Sequence, residues 1–177
     1  MKFLETKLKG AYVIEIEPIV DHRGFFARSW CQQEFHDRGL NANLVQCNIS
    51  FNLQKGTLRG MHYQSHPHEE AKLVRCTQGA IYDVIIDLRP VSPTFKQWFA
   101  VELSAANRQM IYIPEGFAHG FQTLEDNTEV FYQMAEFFHL ESAQGIRWDD
   151  PAFRIKWIND SKVISQKDLS YPLWIDV

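Results

Sequence analysis

Short runs of alternating or continuous apolar residues, separated by turn residues, recur along the chain. The run from 80 to 88 is rich in Val and Ile, as in a buried strand, and Pro90 and Pro93 place a loop after it. Many short strands with turn signals between them predict an all-β sandwich, jelly roll or barrel. The predicted strands are Ala11–Ile16, Lys72–Cys76, Ala80–Leu88, Phe95–Leu103, Met110–Ile113 and Glu129–Met134.

Helical signals are few. Ser29–Arg38 has the pattern of one short helix, ended by Gly39 as a C-cap, and a second short helix is expected near Ser165–Leu169. No linker, low-complexity tract or fixed-period repeat divides the 177 residues, a length that suits one domain with a sizeable core. We therefore predict a single domain over residues 1–177, with its pocket inside the roll or barrel.

Composition narrows the choice of partners and of compartment. The 14% aromatic content favours strands, and the net charge of -4 argues against a basic groove for nucleic acid. Cys31, Cys47 and Cys76 match no disulfide framework or zinc knuckle, which favours reduced thiols in a cytosolic protein. The segment MKFLETKLKG lacks the apolar core of a signal peptide, and no run approaches the roughly 20 apolar residues of a membrane span. We expect a cytoplasmic protein without membrane or nucleic-acid partners.

The segment TLRGMHYQ places Arg59 and His62 among apolar residues. Because side chains alternate along a strand, His62 and Gln64 share one face, and Met61 and Tyr63 share the other. A lone histidine on a strand is more often a structural residue than a catalytic one. Whether His62 has a catalytic or a structural role therefore depends on the polar residues in the neighbouring strands.

Three further polar residues fall in or beside strand-like runs: Lys72, His119 and Tyr132. Taken singly, Lys72 suits a snorkelling surface residue and Tyr132 suits a core residue with its hydroxyl bonded. Buried lysine is rare unless it is paired or functional. As a set in one small β fold, these residues and His62 supply a base, a cation and an acid.

Arginines beside glycine turns, and histidines of a possible metal set, are the other candidates. Arg23 and Arg59 suit bidentate phosphate contacts, with structural salt bridges as the alternative. The spacing Pro-x-Gly-x-x-His that ends at His119 is the pattern of the second motif of cupins, whose histidine often binds metal. His62, His119 and Glu70 could form a facial metal set, although Lys72 in the same pocket would repel the ion.

Read together, these segments resemble the dTDP-4-dehydrorhamnose 3,5-epimerase family. The blocks run in the expected order from Asp21 to Asp168, and they include Tyr132 in EVFYQM and Asp168 in SQKDLSYP. Each block is a modest signal, whereas the combination is highly specific. The other blocks are DHRGFF, QCNIS, TLRGMHYQ, KLVRC, DLRPVSPT, IPEGFAHGF and GIRWDDP.

The resemblance implies a cupin-like jelly roll (a double-stranded β-helix) with a few short helices, a homodimer, and no metal or organic cofactor. It implies that His62 is the general base, Asp168 the carboxylate that orients it, and Lys72 the cation near the 4-keto oxygen. Tyr132 would be the acid that returns a proton on the opposite face. The residues that would hold the diphosphate and sugar are Arg23, Gln46, Asn48, Arg59 and His119.

The chemistry of such a reaction agrees with these residue types. A hydrogen next to a ketone is weakly acidic, so its removal needs a base whose pKa is near neutral, as that of histidine is. The negative charge that develops on the ketone oxygen needs a fixed cation, which Lys72 supplies. Asp168 would fix the tautomer of His62 and stabilise its imidazolium. The ketone of the substrate is itself the electron sink.

The sequence departs from the family pattern at the nucleotide end. Arg28 stands where the family often has Glu, Gln133 replaces a Lys, and Phe137 and Phe138 replace a Tyr pair, so that Phe138 can stack on a base without offering a hydroxyl. The expected substrate is dTDP-4-dehydro-6-deoxy-D-glucose, inverted at C3 and C5. The alternatives are a CDP-linked 4-keto sugar mono-epimerase, a metal-dependent cupin enzyme and a non-catalytic sugar-nucleotide binding module.

Overall fold

The computed structural model describes residues 1–159 and 163–175, which form short strands and two short helices. In chain order these elements are β1 Lys2–Glu5, β2 Tyr12–Glu15, β3 Ile19–Asp21, β4 Gly24–Phe26, α1 Gln32–His36, β5 Gln46–Asn52, β6 Thr57–Gln64, β7 Lys72–Gln78, β8 Ala80–Asp87, β9 Trp98–Ser104, β10 Met110–Ile113, β11 Phe117–Thr123, β12 Thr128–Met134, β13 Ala143–Gly145, β14 Val163–Ile164 and α2 Gln166–Leu169. No helix in these two ranges is long and apolar enough to cross a membrane.

Two sheets face each other across the main hydrophobic core. Sheet I has the strand order β1-β2-β10-β7-β12-β5, and sheet II the order β13-β6-β11-β8-β9 with β14 parallel to β6. Apolar side chains from both sheets meet between them, among them Val74 and Val130 of sheet I and Ile85 and Phe121 of sheet II. This arrangement confirms the prediction of an all-β jelly roll with few helices.

The outer faces of both sheets are also covered. Because side chains alternate along β7, Val74 faces the core between the sheets while Leu73 packs outward against Phe35 of α1. On sheet II, Ile86 packs outward against the segment after β13, which contributes Phe153 and Trp157. Both sheets are therefore packed on both faces over most of their strands, although β5 leaves Ile49 and Phe51 exposed, and this packing fixes the strands that carry the polar residues described below.

The predicted elements are present: the strand Met110–Ile113 has the predicted bounds, and the others have shifted ends. The strand expected from Phe95 begins at Trp98, because Lys96 has a left-handed backbone (φ 63°) and belongs to the turn that precedes the strand. The helix expected over 29–38 shortens to α1, because Cys31 is still extended. Gly39 (φ 68°) ends its last turn, as predicted, and the N–H of Leu40 bonds back to the carbonyl of Phe35.

Some elements were not predicted from the sequence. Strand β5 lies at the edge of sheet I and alternates strictly between polar and apolar residues, but its apolar residues are the exposed ones, and the hairpin β3–β4 consists of exposed three-residue strands. His119, expected just after a turn, lies inside the fully buried strand β11. Gly116 and Gly120 on either side of it weaken the strand signal in the sequence.

Candidate active site

A cavity of about 700 Å³ opens between the two sheets. Strands β5, β7 and β12 of sheet I form one wall, and β6 and β11 of sheet II form the other, with residues 165–171 at the rim. The structure brings all but two of the predicted site residues to this cavity. Those that line it are Gln46, Asn48, Arg59, His62, Lys72, His119, Tyr132, Phe138 and Asp168.

His62 and Asp168 form a hydrogen-bonded pair on the sheet II wall. The His62 Nε2 lies 2.8 Å from Asp168 Oδ1, and the side chain of His62 keeps 41% of its surface exposed to the cavity. Burial opposes ionisation of Asp168, but the hydrogen bond from His62 and the backbone N–H of Gly60 hold the pKa of this carboxyl below its ordinary value. The carboxylate therefore stays ionised, and Nδ1 is the nitrogen of His62 that can take a proton.

The end of the chain holds this pair in place. Asp168 belongs to α2, where its backbone N–H donates to the N-cap hydroxyl of Ser165 over 3.1 Å. Tyr171 packs edge-on against the ring of His62 with 5.7 Å between centroids. A side chain at position 145 would clash with the ring of Tyr171, since a Cβ on Gly145 would lie 2.4 Å from it.

His119 and Asp83 form a second pair next to the first. His119 is the cross-strand partner of His62, and its Nε2 lies 2.8 Å from Asp83 Oδ2. Asp83 is fully buried in the Val- and Ile-rich strand β8, and this burial raises its pKa, while His119 and then Lys72 oppose the rise. Asp83 was missed from the sequence; an acidic residue in the middle of an apolar strand is the signal that could have found it.

Strands β6 and β11, which carry the two histidines, approach closely at Gly60 and Gly120. A Cβ on Gly60 would lie 2.5 Å from the Gly120 Cα, and a Cβ on Gly120 would lie 2.7 Å from the Arg59 carbonyl oxygen. Gly60 also has a φ of 133°, which L-residues with a side chain rarely adopt. The register shifts between His119 and Phe121, and such a bulge re-aims the side chains beside it. Backbone contact therefore sets the spacing of His62 and His119.

Lys72 lies on the opposite wall, paired with Glu70. Lys72 Nζ is 2.8 Å from Glu70 Oε1, and both side chains are almost fully buried. Glu70 Oε2 has no hydrogen-bond partner among the described residues. The ion pair holds the Lys72 ammonium group at the cavity wall. There it would stabilise a negative charge that develops on a bound molecule.

The metal set considered from the sequence does not come together. His62, His119 and Glu70 bond instead to Asp168, Asp83 and Lys72 respectively, as described above. Within residues 1–159 and 163–175, one group of three suitable side chains has its donor atoms within 4.8 Å of one another, and it lies outside the cavity lining. That group is His68, His139 and Glu141.

Tyr132 projects from β12 of sheet I, opposite the sheet that carries His62. Burial raises the pKa of Tyr132, with Arg59 opposing and Glu70 adding to the rise. The hydroxyl therefore stays protonated at neutral pH and can act as a proton donor. A base on one wall and an acid on the other is the arrangement that proton exchange on two faces of one carbon requires.

The remaining polar lining residues lie along the strand β5, with Arg59 at its Asn52 end and Phe138 at its Gln46 end. Arg59 Nε donates to Asn52 Oδ1 over 2.7 Å, and Gln46 and Asn48 project from β5. The backbone N–H of Phe138 donates to Gln46 Oε1 over 3.1 Å, and the ring is 53% exposed. A cation, two amides and an aromatic ring can together bind a phosphate, hydroxyl groups and a planar base.

Arg23 and Arg28 do not reach the cavity of their own chain. Arg23 lies in the β3–β4 hairpin, with its Nε 3.2 Å from Asp21 Oδ2. Arg28 Nη1 donates to Glu34 Oε1 over 3.0 Å. Their predicted binding roles stay predictions.

Comparison with known proteins identifies a set of close relatives. A family model described as dTDP-4-dehydrorhamnose 3,5-epimerase matches residues 5–176. An Escherichia coli protein of that name is 42% identical over 170 residues, covering 95% of this chain and 91% of the relative. A crystal structure of the Elizabethkingia anophelis protein of that name superposes with a TM-score of 0.96 at 38% identity, covering 98% of this chain and 96% of the other. A Legionella pneumophila 3,5-epimerase structure, in complex with dTDP-4-keto-L-rhamnose, gives a TM-score of 0.90 at 37% identity, covering 97% and 92%.

Replacing Asp168 by Asn should lower the free energy of unfolding by about 1–3 kcal/mol at pH 7, because it removes the charge that His62 bonds to. Since the pKa of Asp168 is lowered in the folded state, its ionised form stabilises the protein above the ordinary value of 3.8. The deficit of the variant should therefore shrink as the pH falls from about 4 through the folded-state pKa. Urea unfolding between pH 3 and 8 measures it. A deficit that stays constant with pH would contradict the charge effect, and exposed Asp37→Asn is the control.

Proposed function

Because the chain belongs to the dTDP-4-dehydrorhamnose 3,5-epimerase family, we propose that it converts dTDP-4-dehydro-6-deoxy-D-glucose into dTDP-4-dehydro-L-rhamnose by inverting C3 and C5. It is an enzyme of the isomerase class. One observation carries the proposal for how this chain does so. The ionised Asp168–His62 pair and the protonated Tyr132 lie on opposite walls of one cavity, with Lys72 beside them.

His62 removes the hydrogen next to the ketone, and Asp168 stabilises the imidazolium that forms. The resulting enolate carries its charge on the C4 oxygen, where Lys72 stabilises it. Tyr132 then delivers a proton from the other wall, so the carbon is inverted. The ketone accepts the electron pair throughout, and this route needs no metal or organic cofactor.

The other polar residues that line the cavity would hold the rest of the substrate. Arg59 suits the diphosphate, and Gln46, Asn48 and His119 suit the phosphate and sugar oxygens. Phe138, half exposed at the rim, offers a ring for stacking on the thymine. We propose that residues 1–177 act as one domain of a cytoplasmic enzyme, which its unpaired cysteines Cys31, Cys47 and Cys76 support.

We propose that the active enzyme is a homodimer. The β3–β4 hairpin exposes Ile19, Val20 and Phe26 to 71–76%, and the edge strand β5, whose residues line the cavity, exposes Ile49 to 63%. An exposed apolar hairpin and an uncovered apolar edge strand are surfaces that a second copy would cover. In that assembly the hairpin of one copy would bring its Arg23 toward the cavity of the other.

Proton NMR in deuterated water tests the substrate and the reaction. With dTDP-4-keto-6-deoxyglucose the protein should exchange both C3 and C5 hydrogens for deuterium, because inversion at each carbon takes a solvent-derived proton. The CDP-linked sugar, run in parallel, should exchange far more slowly. Exchange at one carbon, or with the CDP sugar alone, would replace this proposal with that of a mono-epimerase. No exchange with either would overturn it.

The same assay distinguishes the role of His62 from that of Tyr132. His62→Ala should lower the rate of deuterium entry by about 10²–10⁴-fold, the usual worth of a general base, while dTDP binding stays intact. Tyr132→Phe should slow inversion more than the first proton removal, because it leaves the base in place. Tyr82→Phe, which alters a tyrosine packed on the outer face of sheet II, is the control. Equal losses in exchange and inversion for Tyr132→Phe would contradict its role as the acid.

Light scattering tests the dimer. Phe26→Asp should shift the mass from two chains to one and raise KM, because it places a charge in the buried interface and withdraws the partner's hairpin. Val91→Asp, at an apolar residue that is 97% exposed in the loop after β8, should leave both unchanged. A single-chain mass for the unaltered protein, or an unchanged dimer in Phe26→Asp, would rule out this interface.

A further inference from the structure

A second pocket, of about 310 Å³, lies at the end of sheet I where β7 ends and β10 begins. Its walls come from these two strands, from the turn between β9 and β10, and from the segment that follows the β3–β4 hairpin. In the described part of the chain it shares no lining residue with the cavity that holds His62. A ligand in this pocket would therefore be separate from a molecule bound in that cavity. The polar residues that line the pocket are Ser29, Arg75, Thr77 and Arg108.

Arg75 reaches the pocket from β7 without an acceptor for its guanidinium. Its Nε is closed off from solvent and has no hydrogen-bond partner among the described residues. A partly buried positive charge is normally paired, so this guanidinium lacks the anion that its surroundings call for. The arginines that pair with a carboxylate in the same part of the chain are Arg23, Arg28, Arg89 and Arg147.

Arg108 brings a second guanidinium to the same pocket. Met110 is the cross-strand partner of Arg75, and Arg108 precedes Met110 by two residues, so the two arginines lie near each other at the end of the sheet. Arg108 Nη1 donates to the carbonyl of Ala106 over 3.0 Å, which leaves its other N–H groups as donors for a ligand.

An aromatic ring holds each guanidinium in place. The Cζ of Arg75 lies 5.0 Å from the ring centroid of Phe131, and the Cζ of Arg108 lies 4.9 Å from that of Phe25. A ring face attracts the positive charge of an arginine, but it leaves the N–H groups in the plane of the guanidinium free to donate to an oxyanion. The two cations are therefore positioned before a ligand arrives.

The local charge and the size of the pocket favour a small anion. Thr77 Oγ1 donates to Glu129 Oε1 over 2.8 Å at the exposed edge, so one carboxylate stands beside a pocket that two arginines line. The net charge around the pocket stays positive. Its volume is at the lower end of the range for small-molecule sites, which suits a tetrahedral oxyanion with bridging water molecules.

We propose that Arg75 and Arg108 bind one inorganic phosphate ion in this pocket. Guanidinium groups recognise phosphate oxygens through charge-assisted hydrogen bonds, and the Ser29 hydroxyl on the facing wall offers a further donor. Because Phe25 belongs to β4 and stacks on Arg108, the ion would hold the base of the β3–β4 hairpin against sheet I. It takes no part in proton transfer, so this inference is independent of the proposed function.

Urea unfolding at rising phosphate concentration tests the site, with the ionic strength held constant by NaCl. All chains carry Arg59→Gln, which removes the arginine that lines the other cavity. A bound ion raises the free energy of unfolding as RT ln(1 + [L]/Kd), so the curve gives the Kd of phosphate. Arg75→Gln and Arg108→Gln should each weaken that binding at least tenfold. Arg38→Gln is the matched control, because Arg38 also stacks on a ring, that of Phe3, but does not line the pocket; it should leave the Kd within twofold.

Three results would overturn the site. The first is a phosphate dependence that is the same in every variant, which would be the general effect of the salt on the solvent. The second is an unchanged Kd in both Arg75→Gln and Arg108→Gln, which would place the ion elsewhere. The third is a mass in light scattering that falls from two chains to one in phosphate-free buffer for both variants, which would give the pocket to a carboxylate of a second copy. Unfolding midpoints in phosphate-free buffer separate loss of the ligand from loss of the fold, and Arg108, an exposed residue, supplies the variant that keeps the fold.

Discussion

The hydrogen bond between His62 and Asp168 determines how the last part of the chain is placed. It joins residues that are 106 positions apart, and it requires the segment after β13 to return to the centre of sheet II. The N-cap at Ser165 orients Asp168 toward His62, and the parallel pairing of β14 with β6 places helix α2 beside β6. Tyr171 packs over Gly145. The helix is four residues long, so tertiary contacts rather than helix propensity hold it.

The cavity holds several charged groups, and most of them are paired with a group of opposite charge. Three of these groups each have their own carboxylate: His62 with Asp168, His119 with Asp83, and Lys72 with Glu70. A buried charge is tolerated when it is paired. The carboxylate comes from helix α2 for His62, from the neighbouring strand β8 for His119, and from the loop before β7 for Lys72. Within residues 1–159 and 163–175, no carboxylate is bonded to the hydroxyl of Tyr132, and burial keeps its proton on it.

Strand periodicity was enough to predict the class of fold, because buried strands such as β8 and β10 carry continuous apolar runs. The β3–β4 hairpin was missed because its three-residue strands are too short to show a period. Strand β5 was missed although its residues alternate, and its alternation runs the opposite way from that of a half-buried strand, since its apolar residues are exposed. His62, Lys72 and Tyr132 stood out in the sequence as a set of base, cation and acid, whereas Asp168 was indicated only through the resemblance to a family. Distances between strands, such as that from His119 to Asp83, depend on register, which local sequence does not encode.

The close approach of Gly60 and Gly120 bears on how such a site could be redesigned. Because backbone atoms touch there, the two histidines of sheet II form a fixed unit that side-chain replacement nearby cannot stretch or compress. The opposite wall and the rim are built from side chains and loops, which tolerate exchange. Altered substrate choice in this scaffold is therefore more accessible through β5, β12 and the loop of Phe138, with the sheet that carries the proposed base carried over unchanged.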